Sequence, residues 1–252
     1  PHVIWRATAL EIFETLDVSN VYIGDSLNTY RIQTADGPIQ VIAVPWIRRS
    51  AFLARHESRG LTPDEINEEI QERLARIIRA HADSLNPDIP AVFVGHLSVS
   101  EAKTSSEQSM MLGRDHVLLK SDVALPQFDY VALGHVHRYQ ILERNPHVVY
   151  SGSLQRIDFG EEKDDKGFCV IDLDTTKPTG SRLRDFNFHQ VKARKFVTIS
   201  VKVPSGDPDP TATVVQAISK HHIQGAVVRV RIALPGELEG HLRDGDIRGA
   251  LE

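Results

Sequence analysis

Two apolar runs in this chain end in the same pair of residues. Phe93-Val94-Gly95-His96 and Ala132-Leu133-Gly134-His135 each place Gly-His after a hydrophobic stretch, and the second continues to Val136-His137. Imidazole nitrogen is a ready ligand for divalent transition metals. In an extended segment residues i and i+2 project to one side, so His135 and His137 are expected to face a common site. Glycine before each histidine permits a sharp bend or close backbone approach. His96, His135 and His137 therefore read as ligands of a metal site. A single histidine at a strand end is more often an ordinary surface residue. The repeated Gly-His end and the H-x-H pair distinguish these three from His2, His56, His81, His116, His147, His189, His221, His222 and His241.

Two-metal hydrolysis of a phosphodiester also calls for carboxylates, because oxygen ligands suit Mn²⁺ and Mg²⁺ and a bridging anion holds two cations together. Asp25 leads into a turn-like Ser26-Leu27-Asn28, and Asp115 is adjacent to His116 with no spacer. Asp207 and Asp246 fall near the end of the chain. None has ligand spacing, so the sequence displays half of a metal site. Structural zinc is a weaker reading, since ligation by histidine alone is unusual there.

The elements that must position these residues follow from patterning. Ala7 to Leu16 predicts a helix, and Val21-Tyr22-Ile23 a short strand. Thr29 to Thr34 and Ile39 to Val44 predict two strands about an Asp36-Gly37-Pro38 turn. Thr62-Pro63-Asp64-Glu65 is a helix start with a capping box and proline at the first position. Ile66, Ile70, Leu74, Ile77 and Ile78 then line one face to about His81. Ala91 to Val94 and Tyr130 to Leu133 predict buried strands, and Val148 to Tyr150 and Phe168 to Leu173 further strands. Pro178 to Gly180 reads as a linker. Beyond it, Phe196 to Val203, a helix from Asp209-Pro210, Ala226 to Leu234 and a last helix over Leu242 to Leu251 make a small β-α-β unit. Early alternation of helix and strand followed by clustered strands predicts a layered α/β sandwich.

Composition limits the function classes. The 252 residues carry 29 Lys plus Arg against 34 Asp plus Glu, a net charge of −5, which excludes attachment to nucleic acid by bulk charge but not a local basic groove. The lone cysteine, Cys169, forms no intrachain disulfide and fits a reducing compartment. No apolar run approaches the about 20 residues of a membrane span, and no signal peptide is visible. The chain opens on Pro1 close to a helical pattern, and the expectation is a fragment.

The succession Gly95-His96, Asp129 to Arg138 (DYVALGHVHR), Tyr150 to Ser153 (YSGS), Ile157 to Glu162 (IDFGEE) and Lys166-Gly167-Phe168 resembles the SbcD-type DNA-repair exonucleases of the calcineurin-like metallophosphoesterase superfamily. The G-H-x-H element alone marks only the superfamily. The string SGSLQRIDFGEEKDDKGF is more specific to the SbcD branch. The resemblance implies an incomplete α/β/β/α metallophosphoesterase sandwich over 1–178, with a small α+β capping, DNA-binding domain over 190–252. It implies that His96 and His135 bind one Mn²⁺ and His137 the other. The family's D-x-H, G-D-x-x-D and G-N-H-D/E motifs do not occur here, so the catalytic histidine of G-N-H is absent, and His2 is not that residue. The chain by itself is expected to be inactive. The complete enzyme is expected to degrade double-stranded DNA from its ends and to nick hairpins. Its expected partners are an SbcC-type ATPase and a second copy, away from any membrane and in the cytoplasm. The resemblance implies a dimer contact near Leu10, Phe13 and Leu16, while their pattern alone reads first as ordinary core packing.

Other residues admit two roles. Arg138 could meet a phosphate oxygen or be a surface arginine. Ser151-Gly152-Ser153 could offer amides to a DNA backbone or form a tight turn, and Arg156 is similarly open. Lys192 to Lys195 could line a groove or be a solvated face. The acidic run Asp158 to Asp165 would repel DNA and is expected away from the phosphate path. Two other functions stay open: a non-catalytic DNA- or partner-binding fragment, and a phosphodiesterase for small phosphodiesters.

Overall fold

The computed structural model describes residues 18, 20–47, 60–104 and 117–252. The Ala7 to Leu16 helix, with Leu10, Phe13 and Leu16, and His2, His56, Asp115 and His116 lie outside them. A six-stranded mixed sheet forms the centre. It contains β1 (Asn28–Thr34), β2 (Gly37–Val44), β3 (Ala91–His96), β6 (Tyr130–Gly134), β7 (Gln140–Arg144) and β8 (His147–Tyr150), in the order β1-β2-β3-β6-β8-β7. The inner strands β2, β3, β6 and β8 are parallel, and an antiparallel strand closes each edge.

Helix α1 (Pro63–Asp83) is the crossover from β2 to β3. Its start follows the local chemistry read above. The Thr62 hydroxyl accepts from the Glu65 amide, and the Glu65 carboxylate accepts from the Thr62 amide at 2.7 Å. These bonds satisfy donors that a helix start otherwise leaves open. Thr62→Ala is expected to cost about 1 kcal/mol, read as a lowered urea midpoint at unchanged slope. The apolar stripe Ile70, Leu74, Ile78 and Ala82 is buried against Ile42, Val44, Phe93, Val131, Val148 and Tyr150 on one face of the sheet. Adjacent strand residues point the other way. Val92, Tyr130 and Val149 pack with Ile171, Leu173, Leu183 and Phe186 of a second layer, the hairpin of β9 (Gly167–Leu173) and β10 (Leu183–Gln190). The period-2 alternation thus serves two hydrophobic layers at once. The described residues form the α/β/β layers of an α/β sandwich.

Small elements complete this body: β4 (Ser98–Val99) paired with β5 (Val117–Leu118), a single turn α2 (Lys120–Val123), and a 3₁₀ turn at Phe159–Glu161. A separate hydrophobic cluster is built by β11 (Phe196–Lys202), α3 (Pro210–Ser219), the parallel strand β12 (Val227–Ala233), a 3₁₀ turn at Gly236–His241 and α4 (Asp244–Gly249). Phe159 connects the two. Its ring lies 4.9 Å from that of Phe196, and the Arg229 guanidinium sits 4.2 Å above it.

Three expectations change. Val21 to Ile23 is irregular chain: Val21 and Tyr22 are exposed, and among the described residues no strand pairs with this triplet, although the Ile23 carbonyl accepts from the Tyr30 hydroxyl. Pro178 to Gly180 is not a linker between units but the connection of the β9–β10 hairpin. The Gly180 amide donates to Asp129 Oδ1 at 2.8 Å, and buried Arg182 bonds Asp129 Oδ2 together with the carbonyls of Pro87, Ile89 and Lys177. The turn is thereby clamped onto the start of β3, where Asp129 also accepts from the Ala91 amide. Finally, the stretch between Gly180 and Phe196, given no element from the sequence, forms β10: a bulge lies between Leu183 and Asp185, and beyond it Phe186 and Phe188 alternate with exposed Asn187 and His189.

Candidate metal centre

The parallel strands bring their carboxyl ends to one edge, which is where open α/β sheets hold ligands. In the register His96 lies beside Gly134. A side chain at Gly134 would have its Cβ 3.2 Å from His96 Nδ1, so the glycine before His135 makes room for the neighbouring imidazole. His135 then leaves the strand with φ 93°, a left-handed conformation that costs a non-glycine residue about 1–3 kcal/mol. The outcome is two imidazoles ring to ring, His96 and His135, 5.3 Å between centroids. Trp46, just past the end of β2, completes the cluster at 4.8 Å from His135 and 5.9 Å from His96. A cleft of about 430 Å³ opens beside it, lined by Tyr22, Tyr30, Val41, Val94 and His96 among others.

His137 is placed differently. The left-handed turn at His135 ends the extended geometry on which a shared orientation of His135 and His137 rested. His137 Nδ1 lies 2.8 Å from Glu161 Oε1. The other Glu161 oxygen is 2.7 Å from Lys166 Nζ, and neither side chain of this ion pair is exposed. Lys166 Nζ also donates to the His137 carbonyl at 3.0 Å and to Ser153 Oγ at 2.9 Å. Burial by itself raises the Glu161 carboxyl. The hydrogen bonds from Lys166 and His137 and the Lys166 charge outweigh it and hold the group below the ordinary glutamate value. Part of the acidic run from Asp158 to Asp165 thus lies beside His137. It folds inward, burying Glu161 and Asp164.

The three residues expected to meet DNA are also placed. The Ser153 amide donates to the His137 carbonyl, and its hydroxyl donates to the Gln155 carbonyl. At Gly152, with φ 75°, the chain passes close to the segment after His135: a Cβ there would lie 2.8 Å from the His137 carbonyl oxygen. Arg156 directs its guanidinium to the backbone carbonyls of Glu161, Asp164 and Arg194, so its role here is to clasp three segments. Arg138 stays near the surface at 46% side-chain exposure, with Asp164 at 3.4 Å. Within the Lys192 to Lys195 run, Arg194 bonds the Gly225 carbonyl and Gln155, which fixes it at the junction.

Sequence reasoning missed Trp46, Glu161 and Lys166. Trp46 had a signal, an aromatic after the proline that stops β2. Glu161 lay inside an acidic run, Asp158 to Asp165, expected away from the phosphate path, and Lys166 just after it. Among the described residues no three His, Cys, Asp or Glu side chains are grouped to hold a metal ion. The donors side by side are two imidazoles, which fits the histidine share of a metal site and not a whole one. Among the described residues no helix is long and apolar enough to cross a membrane.

No protein-family profile matches the chain. It is similar to the D subunit of the nuclease SbcCD from Staphylococcus saprophyticus subsp. saprophyticus, with 28% identity over 162 residues, 64% of this chain and 41% of that protein. The D subunit of the nuclease SbcCD from Staphylococcus epidermidis is 27% identical over 148 residues, 58% of this chain and 38% of that protein. The matches thus span about two fifths of the length of these curated relatives. The resemblance to SbcD-type proteins read from the sequence is borne out by both.

Proposed function

We propose that this chain is the part of an SbcD-like nuclease that carries its last two metal-binding motifs. One observation carries the reading: His96 and His135 stand ring to ring at the ends of neighbouring parallel strands, in a chain similar to the SbcD component of the nuclease SbcCD. On this reading His96, His135 and His137 contribute the imidazole ligands of a Mn²⁺ site, and carboxylate motifs outside this sequence supply the bridging anions. Bound ions would activate a water and neutralise charge on the scissile phosphate. The chain's own residues would hold and orient. Trp46 packs against both imidazoles, and exposed Arg138 is the cation best placed to meet a phosphate oxygen. The substrates are double-stranded DNA ends and hairpins, and the partners an SbcC-type ATPase and a second copy, in the cytoplasm. The body that ends with β10 at Gln190 belongs to the nuclease domain, and the unit from β11 onward to a capping domain.

A second reading, a DNA- or partner-binding piece without catalysis, is favoured by the incomplete ligand set among the described residues. Incubation of linear duplex DNA with Mn²⁺ separates the two. The full-length protein is expected to degrade it, and these 252 residues alone are not. Salt-sensitive binding by the full-length protein with no cleavage would favour the second reading. Turnover of bis-p-nitrophenyl phosphate without action on duplex DNA would point to a phosphodiesterase for small substrates.

A further inference from the structure

We propose that Glu161 is a positioning residue that sets the tautomer of His137, keeping the proton on Nδ1 and the lone pair on Nε2. The argument begins with donors and acceptors. An ionised carboxylate only accepts hydrogen bonds, and an ammonium only donates them. Glu161 Oε1 lies 2.8 Å from His137 Nδ1, and Glu161 Oε2 lies 2.7 Å from Lys166 Nζ. A bare nitrogen at Nδ1 would set its lone pair against the oxygen of a buried carboxylate. A protonated Nδ1 converts that contact into a charge-assisted hydrogen bond.

The carboxylate has little freedom to turn away. Oε2 also accepts from the Ile157 amide at 3.3 Å, and the Glu161 carbonyl accepts from Arg156. Lys166 is held as firmly, since its ammonium donates to Glu161, to the His137 carbonyl and to Ser153 Oγ. Lys166 therefore fixes the backbone of His137 while Glu161 fixes its ring. A neutral imidazole with its lone pair on Nε2 can ligate a cation or take a proton there. That use rests on the nuclease reading above. The tautomer does not, and it is measured with no metal present.

The test is ¹⁵N NMR of the histidine rings in the 252-residue chain at a pH where the rings are neutral, with His137 assigned by the signal lost in His137→Gln. The wild type is expected to show protonated Nδ1. Glu161→Gln is the informative variant, nearly the same in shape. Its amide oxygen must face the Lys166 ammonium, which leaves the amide NH₂ facing His137 Nδ1. The ring is then expected to switch to protonated Nε2, a change that loss of packing alone would not produce. A wild-type ring protonated on Nε2 would overturn the proposal, as would a folded Glu161→Gln variant with an unchanged tautomer. Should that variant not fold, a wild-type cross-relaxation peak between the His137 ring N–H and the Glu161 methylenes decides the matter: its presence supports the assignment and its absence refutes it.

Discussion

Lys166→Met is expected to destabilise the protein by about 3–5 kcal/mol, because removing one partner of a buried ion pair strands the other charge. The two side chains have similar reach, so the cost comes from charge and hydrogen bonding more than from volume. Neither Lys166 nor Glu161 has an exposed side chain, and the ammonium's contacts to Ser153 Oγ and the His137 carbonyl would be lost as well. Equilibrium denaturation in guanidinium at neutral pH measures the effect as a fall in midpoint.

The pH dependence gives the same prediction a second arm. In the wild type, Lys166 and His137 hold the Glu161 carboxyl below its ordinary value against the opposing effect of burial. A lowered folded-state value contributes stability above the unfolded value of about 4.3, and this is lost as pH falls through the folded value. In Lys166→Met the stranded carboxylate is relieved by taking up a proton. The gap between wild type and variant should therefore narrow in acid. A gap under about 1 kcal/mol at neutral pH, or one that does not change in acid, would contradict a charge-based role for the pair.

On the proposed nuclease reading, His96→Ala with His135→Ala is expected to lower Mn²⁺-dependent DNA hydrolysis by the full-length protein by at least about 100-fold, above the 10–100-fold cost of losing outer partners of a metal ligand. Both rings stand at the end of the parallel strands, with Trp46 against them, and removing them takes away the adjacent imidazoles of the cluster. Stability should not fall in proportion. His96 is exposed, and the alanine at position 135 meets the same positive φ that histidine does. Retention of full activity by a folded double variant would remove these histidines from the metal site. Loss of activity with unchanged Mn²⁺ affinity would do the same.

The Gly-His strand ends show why part of this site was legible and part was not. Each belongs to one strand whose apolar run and terminal glycine are local signals, and parallel pairing of two such strands places the histidines together. His137 shares the same short motif, yet its orientation depends on φ at His135 and on a partner 24 residues away. Arg156 and Ser153, polar residues after a strand, admitted either a contact to DNA or a local structural role. The fold instead uses them to satisfy backbone carbonyls and an ammonium inside the loop cluster.

The sequence alone determined the parts governed by short-range stereochemistry. These are the capping box of α1 and its apolar stripe, the buried strands around His96 and His135, and the β-α-β order of β11, α3 and β12. Such features are written in spacing, because a helix repeats every 3.6 residues and a strand every two. The tertiary structure decided which charges are buried and whom they meet. Glu161 lies in an acidic run expected away from the phosphate path and Lys166 just after it, and Asp129 and Arg182 are 53 residues apart, yet each pair is closed inside the fold. A charge is tolerated there only when packing delivers its counterpart from another loop, and no periodicity within one segment carries that information.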